Sequence, residues 1–148
     1  MIPENLYRKI IAVLPIICVD IIICNEEGKF LLARRTNEPL KGQWWPIGGR
    51  ILAKESARKA CIRKVFEETG IDVYDLQYIG FYEDVFDKNS FDLSNSYHTI
   101  SLVFQTKIFG EQSIFLDSQH SEWSWFDKLP DRFSISTQNL LSSQLDTQ

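Results

Sequence analysis

The sequence predicts an α/β protein in which a mixed β-sheet is sandwiched between α-helices, folded as one domain over residues 1–148. Three stretches carry this expectation. Ile16–Cys24 is apolar and β-branched, the mark of a strand buried on both faces. Residues 97–109 alternate, with Ile100, Leu102 and Phe104 set against Ser101 and Gln105, as in a half-buried strand. Between them, Ala57, Ala60, Cys61 and Val65 form one apolar stripe at helical spacing, so a helix packs against something.

In chain order, Glu4–Val13 reads as a leading helix, with Pro3 near its start and Pro15 after its end. Its face of Leu6, Ile10 and Val13 can cover the sheet or a partner subunit. After the first strand, the Asn-Glu-Glu-Gly of residues 25–28 turns the chain, and residues 29–35 return as a hairpin partner. Asp20 interrupts the buried run. A carboxylate there costs on the order of several kcal/mol unless paired, so it needs a partner, such as an arginine, or a role. Residues 36–42 form a loop, and Gln43-Trp44-Trp45-Pro46 leads into a Gly48-Gly49 turn. Ser56 caps or opens the next helix, and Gly70 stands at its C′ position after Thr69. Strands over 76–86 and 97–109 follow, joined by a polar loop at 87–96, then a short aromatic strand at 122–126 and a closing helix at 137–145.

At 148 residues and 44% hydrophobic content, the chain is long enough and apolar enough for a real core. The net charge of −4, without a run of like charges, argues against nucleic-acid binding through phosphates. A few arginines and a metal ion can still bind an anionic nucleotide. Cys18, Cys24 and Cys61 are odd in number, lack C-x-x-C spacing and sit in apolar surroundings, so they read as buried, reduced thiols. The early apolar run over residues 10–24 contains Pro15 and Asp20 and is short for a membrane span. These features predict a soluble, cytoplasmic protein with no membrane partner.

Chemistry concentrates in residues 48–71. Arg63 and Glu67 are i,i+4 neighbours on the helix, as are Lys64 and Glu68. The adjacent Glu67 and Glu68 repel unless a cation holds them, and Glu55 lies where a loop can fold it back toward the same spot. Carboxylates beside the carbonyls of a Gly-Gly turn are hard oxygen ligands suited to Mg²⁺. The spacing resembles the signature of the Nudix hydrolases: glycine, five residues, Glu, seven residues, then Arg-Glu-aliphatic-x-Glu-Glu-x-Gly-aliphatic. Gly49, Glu55, Arg63, Val65, Glu67, Glu68, Gly70 and Ile71 match, and Lys64 replaces the Glu expected after the arginine. The resemblance implies an α/β/α fold from about residue 16 to about residue 127. It also implies hydrolysis of a nucleoside diphosphate linked to another group, in most members by attack at phosphorus.

In most members the missing Glu shares the metal with the last Glu of the signature. A lysine four residues before Glu68 more naturally pairs with it than shares a metal. Val19-Asp20, residues 32–37, Gly42-Gln-Trp44, Gly48-Gly-Arg50 and residues 118–123 resemble the GDP-mannose mannosyl hydrolase branch, which does without that Glu. By this resemblance one Mg²⁺ is held by the Gly48 carbonyl, Glu68 and Gln119, with Glu67 a further candidate ligand. His120 is the expected general base, Arg35 and Arg50 are expected on the diphosphate, and Asp20 on the sugar. Trp44 is a candidate to stack on guanine. His98 aligns with a family histidine, while Asp84 and Thr99 replace a histidine and a tyrosine expected near the substrate. The implied reaction is Mg²⁺-dependent hydrolysis of a GDP-sugar (GDP-mannose or GDP-glucose) to GDP and free sugar, by a homodimer. Two readings stand beside it: a pyrophosphatase using Glu67 and Glu68 with Lys64 as a positioning charge, and a nucleotide-binding module without turnover.

Overall fold

The computed structural model describes residues 2–37, 39–86, 97–110, 114 and 120–133, with His120 and Ser121 described by backbone alone. Gln119 and the expected helix at 137–145 lie outside the described residues. The elements run α1 (Glu4–Val13), β1 (Ile16–Cys24), β2 (Phe30–Arg35), β3 (Trp44–Trp45), β4 (Ile47–Arg50), α2 (Ala57–Thr69), β5 (Gln77–Phe86), β6 (Tyr97–Lys107) and β7 (His120–Phe126).

The β-branched run forms the centre of a mixed sheet ordered β3-β2-β1-β6-β5. β1 is parallel to β6 along its whole length and antiparallel to β2 and β4. Asn25 builds the hairpin turn, its side-chain oxygen accepting from the Glu27 and Lys29 amides, and Gly28 supplies the positive φ of 77°. Past the Cys24–Phe30 pair, β2 diverges, and β4 takes its place beside residues 18–21 of β1. The Gly48-Gly49 segment is therefore a strand rather than the turn its glycines suggest. A Cβ on Gly48 would collide with the Val19 carbonyl and Asp20 Oδ1, so only glycine permits this close approach.

Alternation along β1 divides the interior. Val19, Ile21 and Ile23 join Ile47 and the α2 residues Ala60, Cys61 and Val65, whereas Ile22 and Cys24 face Trp45, Tyr82, Val103 and Phe133. The expected stripe on α2 is the buried one. Ser56 caps that helix, accepting from the Lys59 amide at 3.2 Å, and Gly70 closes it in the left-handed region with its amide 2.8 Å from the Phe66 carbonyl. α1 packs Tyr7 and Ile11 against Ile16 and Tyr97. Among the described residues, no helix is long and apolar enough to cross a membrane.

Candidate active site

Where β2 parts from β1, a cavity of about 400 Å³ opens. Asp20 from β1, Arg35 from β2, and Gly48, Gly49 and Arg50 from β4 line it, with Lys64 of α2 beside them. Tyr82, Tyr97, Thr99 and Ser101 add a polar wall from β5 and β6, and Tyr7 of α1 reaches the same space. Four of the expected residues, Asp20, Arg35, Gly48 and Arg50, thus meet in one cavity.

Asp20 is buried, and its partners are hydroxyls rather than an arginine. Tyr82 donates to Oδ2 at 2.6 Å, and Ser101 donates to the same oxygen. Burial pushes the Asp20 carboxyl above the usual range, while Ser101, Tyr82 and the nearby Arg35 charge pull it back in part. The Tyr82 hydroxyl, buried beside that carboxylate, is in turn pushed up. Tyr82 and Ser101 are cross-strand partners, so one register delivers both. The two arginines are positioned from behind. Arg35 donates through Nε to the Pro39 carbonyl at 2.8 Å, and Arg50 stacks 4.5 Å over the Tyr7 ring. Tyr7 donates to the Tyr97 hydroxyl at 3.0 Å, tying α1 to β6 across the cavity rim.

The signature carboxylates are distributed between two cations. Arg63 donates to both oxygens of Glu55, at 2.7 and 2.9 Å, to Glu67 at 3.1 Å, and to the Arg50 carbonyl at 3.0 Å. Its charge and hydrogen bonds hold the Glu55 carboxyl below the usual range. Glu67 is half exposed, on the Arg63 side of the helix. Glu68 is fully buried, and the Lys64 ammonium lies 2.7 Å from its Oε1, the pair expected from the i,i+4 spacing. Glu67 lies between the two cations, 3.1 Å from Arg63 and 3.8 Å from Lys64, whereas Glu68 is the buried carboxylate in close contact with Lys64. Among the described residues, no three His, Cys, Asp or Glu side chains gather as metal ligands. The buried Glu68 carboxylate is a hard oxygen donor of the kind that fits a divalent ion.

Three expected substrate contacts fall elsewhere. Trp44 faces a second groove, where its ring lies 5.0 Å from Phe126, and its neighbour Trp45 lines the cavity instead. Asp84 is gripped by both nitrogen arms of Arg132, at 2.6 and 2.9 Å. His98 alternates away from Tyr97 and Thr99 and sits 3.1 Å from exposed Glu83. β7 carries the His120 backbone opposite Arg35 in the register, beside a bulge.

A family description of the NUDIX domain matches residues 14–129. The chain belongs to the Nudix family. It is 31% identical over 126 residues to the low-salt glycan biosynthesis protein Agl8 of Haloferax volcanii, covering 85% of this chain and 80% of that one. It is 32% identical over 117 residues to an ADP-ribose pyrophosphatase of Methanocaldococcus jannaschii, covering 78% of this chain and 65% of that protein's length. A MutT protein of Methanosarcina mazei Go1 superimposes with a TM-score of 0.69 at 28% identity, over 88% of this chain and 96% of that one. The chain is thus a Nudix hydrolase, and such enzymes typically act on nucleotide derivatives with a divalent metal.

Proposed function

We propose that this Nudix hydrolase cleaves a GDP-sugar, GDP-mannose or GDP-glucose, to GDP and free sugar. The observation that carries the reading is Lys64 on Glu68. The position that brings most Nudix enzymes a second metal-binding carboxylate brings a cation here. That favours chemistry needing one ion to neutralise a leaving diphosphate over chemistry needing several at phosphorus. The name of the Haloferax relative, which refers to glycan biosynthesis, agrees with a nucleotide-sugar substrate.

In this reading Arg35 and Arg50 grip the diphosphate with forked hydrogen bonds. Asp20, fixed by Tyr82 and Ser101, receives a sugar hydroxyl. His120, at the end of β7, takes a proton from water as the water oxygen bonds to the anomeric carbon. The bond from that carbon to the diphosphate oxygen breaks, and its electron pair leaves with GDP, inverting the sugar. The Gly48 carbonyl, Glu68 and Gln119 would hold Mg²⁺, which when bound supplies positive charge to the departing diphosphate. We place the reaction in the cytoplasm, in keeping with three free cysteines. We also assign a homodimer, for which exposed Leu6, Val13, Leu14 and Ile17 offer an apolar face.

Hydrolysis of GDP-mannose with Mg²⁺ in ¹⁸O-water tests the reading: label in the sugar is expected, and label in phosphate refutes it. His120→Ala should lower kcat by about 10² to 10⁴ at neutral pH. The second reading, attack at phosphorus, draws on the pyrophosphatase relative. It predicts a nucleoside monophosphate and a sugar phosphate as products, and a large rise in that cleavage in Lys64→Glu.

A further inference from the structure

We propose that Lys64 is a tethered cation occupying the metal position on Glu68, so that the ammonium and a divalent ion exclude each other there. The inference deepens the metal assignment of the proposed function but does not depend on which sugar is bound or which bond breaks.

Four observations meet at this pair. The Glu68 side chain is 1% exposed and Lys64 13%, with 2.7 Å between Nζ and Oε1. Lys64 lines the cavity and Glu68 does not, so the lysine stands between the carboxylate and the space where a ligand enters. The lysine stem lies close over β4. A Cβ on Gly49 would collide with Lys64 Cε, which shows that the stem lies pressed across the Gly49 backbone. Finally, Arg63 engages Glu55 at 2.7 Å and Glu67 at 3.1 Å, and Glu67 lies 3.8 Å from Lys64 Nζ against 2.7 Å for Glu68, so Glu68 is the lysine's nearer partner.

A carboxylate this buried requires a counter-charge, and Lys64 provides one without metal. A divalent ion arriving at the same oxygen would face a like charge at contact distance in a poorly screened place. Metal binding therefore requires the Lys64 head to leave. Its exit is toward the cavity, where Arg35 and Arg50 already mark the place of an anionic ligand. In this arrangement metal entry frees the Lys64 charge from Glu68 into the ligand space beside Arg35 and Arg50.

The test is Mn²⁺ binding to the full chain without substrate, followed by electron paramagnetic resonance. Lys64→Met should bind Mn²⁺ about tenfold or more tightly than wild type, a change on the scale of altered metal surroundings. Lys64→Met combined with Glu68→Gln removes both charges and should abolish the gain. Equal affinities for wild type and Lys64→Met, or an unchanged gain in the double variant, would overturn the proposal. A measurement on the wild-type side chain guards against a Lys64→Met protein that fails to fold. Its ¹³Cε resonance, assigned by its loss in Lys64→Arg, should move toward exposed-lysine values on saturation with Mg²⁺. A resonance that stays put at saturation refutes the exchange. None of these readouts involves turnover, so failure here and failure of the GDP-sugar reading are separately visible.

Discussion

Arg63 offers the sharpest test of how the signature is built. Arg63→Met keeps the aliphatic stem and removes every contact of the guanidinium. The pair with Glu55 is partly buried, with side-chain exposures of 25% and 14%, and it is bidentate. Discounted for solvent, it contributes about 1–2 kcal/mol. The Glu67 pair is half exposed and on a helix, worth about 0.3–0.5 kcal/mol. The bond to the Arg50 carbonyl adds about 1 kcal/mol. The sum is roughly 2–3.5 kcal/mol, which for 148 residues lowers Tm by roughly 4–14 °C. The loss should also depend on pH. Glu55 is depressed in the folded state, so its stabilisation is present above the ordinary value of 4.5 and disappears as pH falls through the folded value. Scanning calorimetry of both proteins at pH 7 and at pH 3 measures the two differences. A shift under 2 °C at pH 7, or one that grows in acid, would refute the assignment of Arg63 as the clamp.

Three further outcomes follow from the same geometry. Asp20 is raised by burial, so the unfolded chain ionises first as pH rises above 3.8, and folding is penalised from there upward. Asp20→Asn should therefore raise the urea midpoint at pH 7, with the gain gone below pH 3.8. Gly48→Ala puts a methyl group into the β1 backbone and should cost about 1–3 kcal/mol in urea unfolding, whereas Gly49→Ala meets a flexible lysine stem and should cost less. Tyr7→Phe removes the hydroxyl bond to Tyr97 but keeps the ring under Arg50, so substrate KM should change less than in Tyr7→Ala.

The signature helix was legible because its information is local. Cap, stripe, closing glycine and the Lys64–Glu68 spacing all lie within one window, and helix geometry brings those side chains together without help from the rest of the chain. Asp20 was legible only as a question: an acid in an apolar run must have a partner. Its actual partners, Tyr82 and Ser101, are 62 and 81 residues away, and only the sheet register unites them. Tyr7 and Tyr97 left no signal for the same reason, since aromatic residues in a helix and a strand read as core.

The substrate contacts that fell elsewhere show which quantity a family resemblance leaves free. On an extended strand, neighbouring side chains point to opposite faces, so an offset of one residue moves a group from a cavity to solvent. Trp44 and Trp45 differ by that single step, and the structure turns Trp45 inward. His98 loses to Tyr97 and Thr99 in the same way. Asp20 fixes the cavity face of β1, the parallel register with β6 then carries that face to Thr99 and Ser101, and the antiparallel register carries it on to Tyr82. Asp84 has the right parity but not the freedom, because Arg132 takes both of its oxygens. Two conditions therefore keep an expected strand residue out of this cavity: facing away from Asp20, as His98 does, or being taken by a competing cation, as Asp84 is.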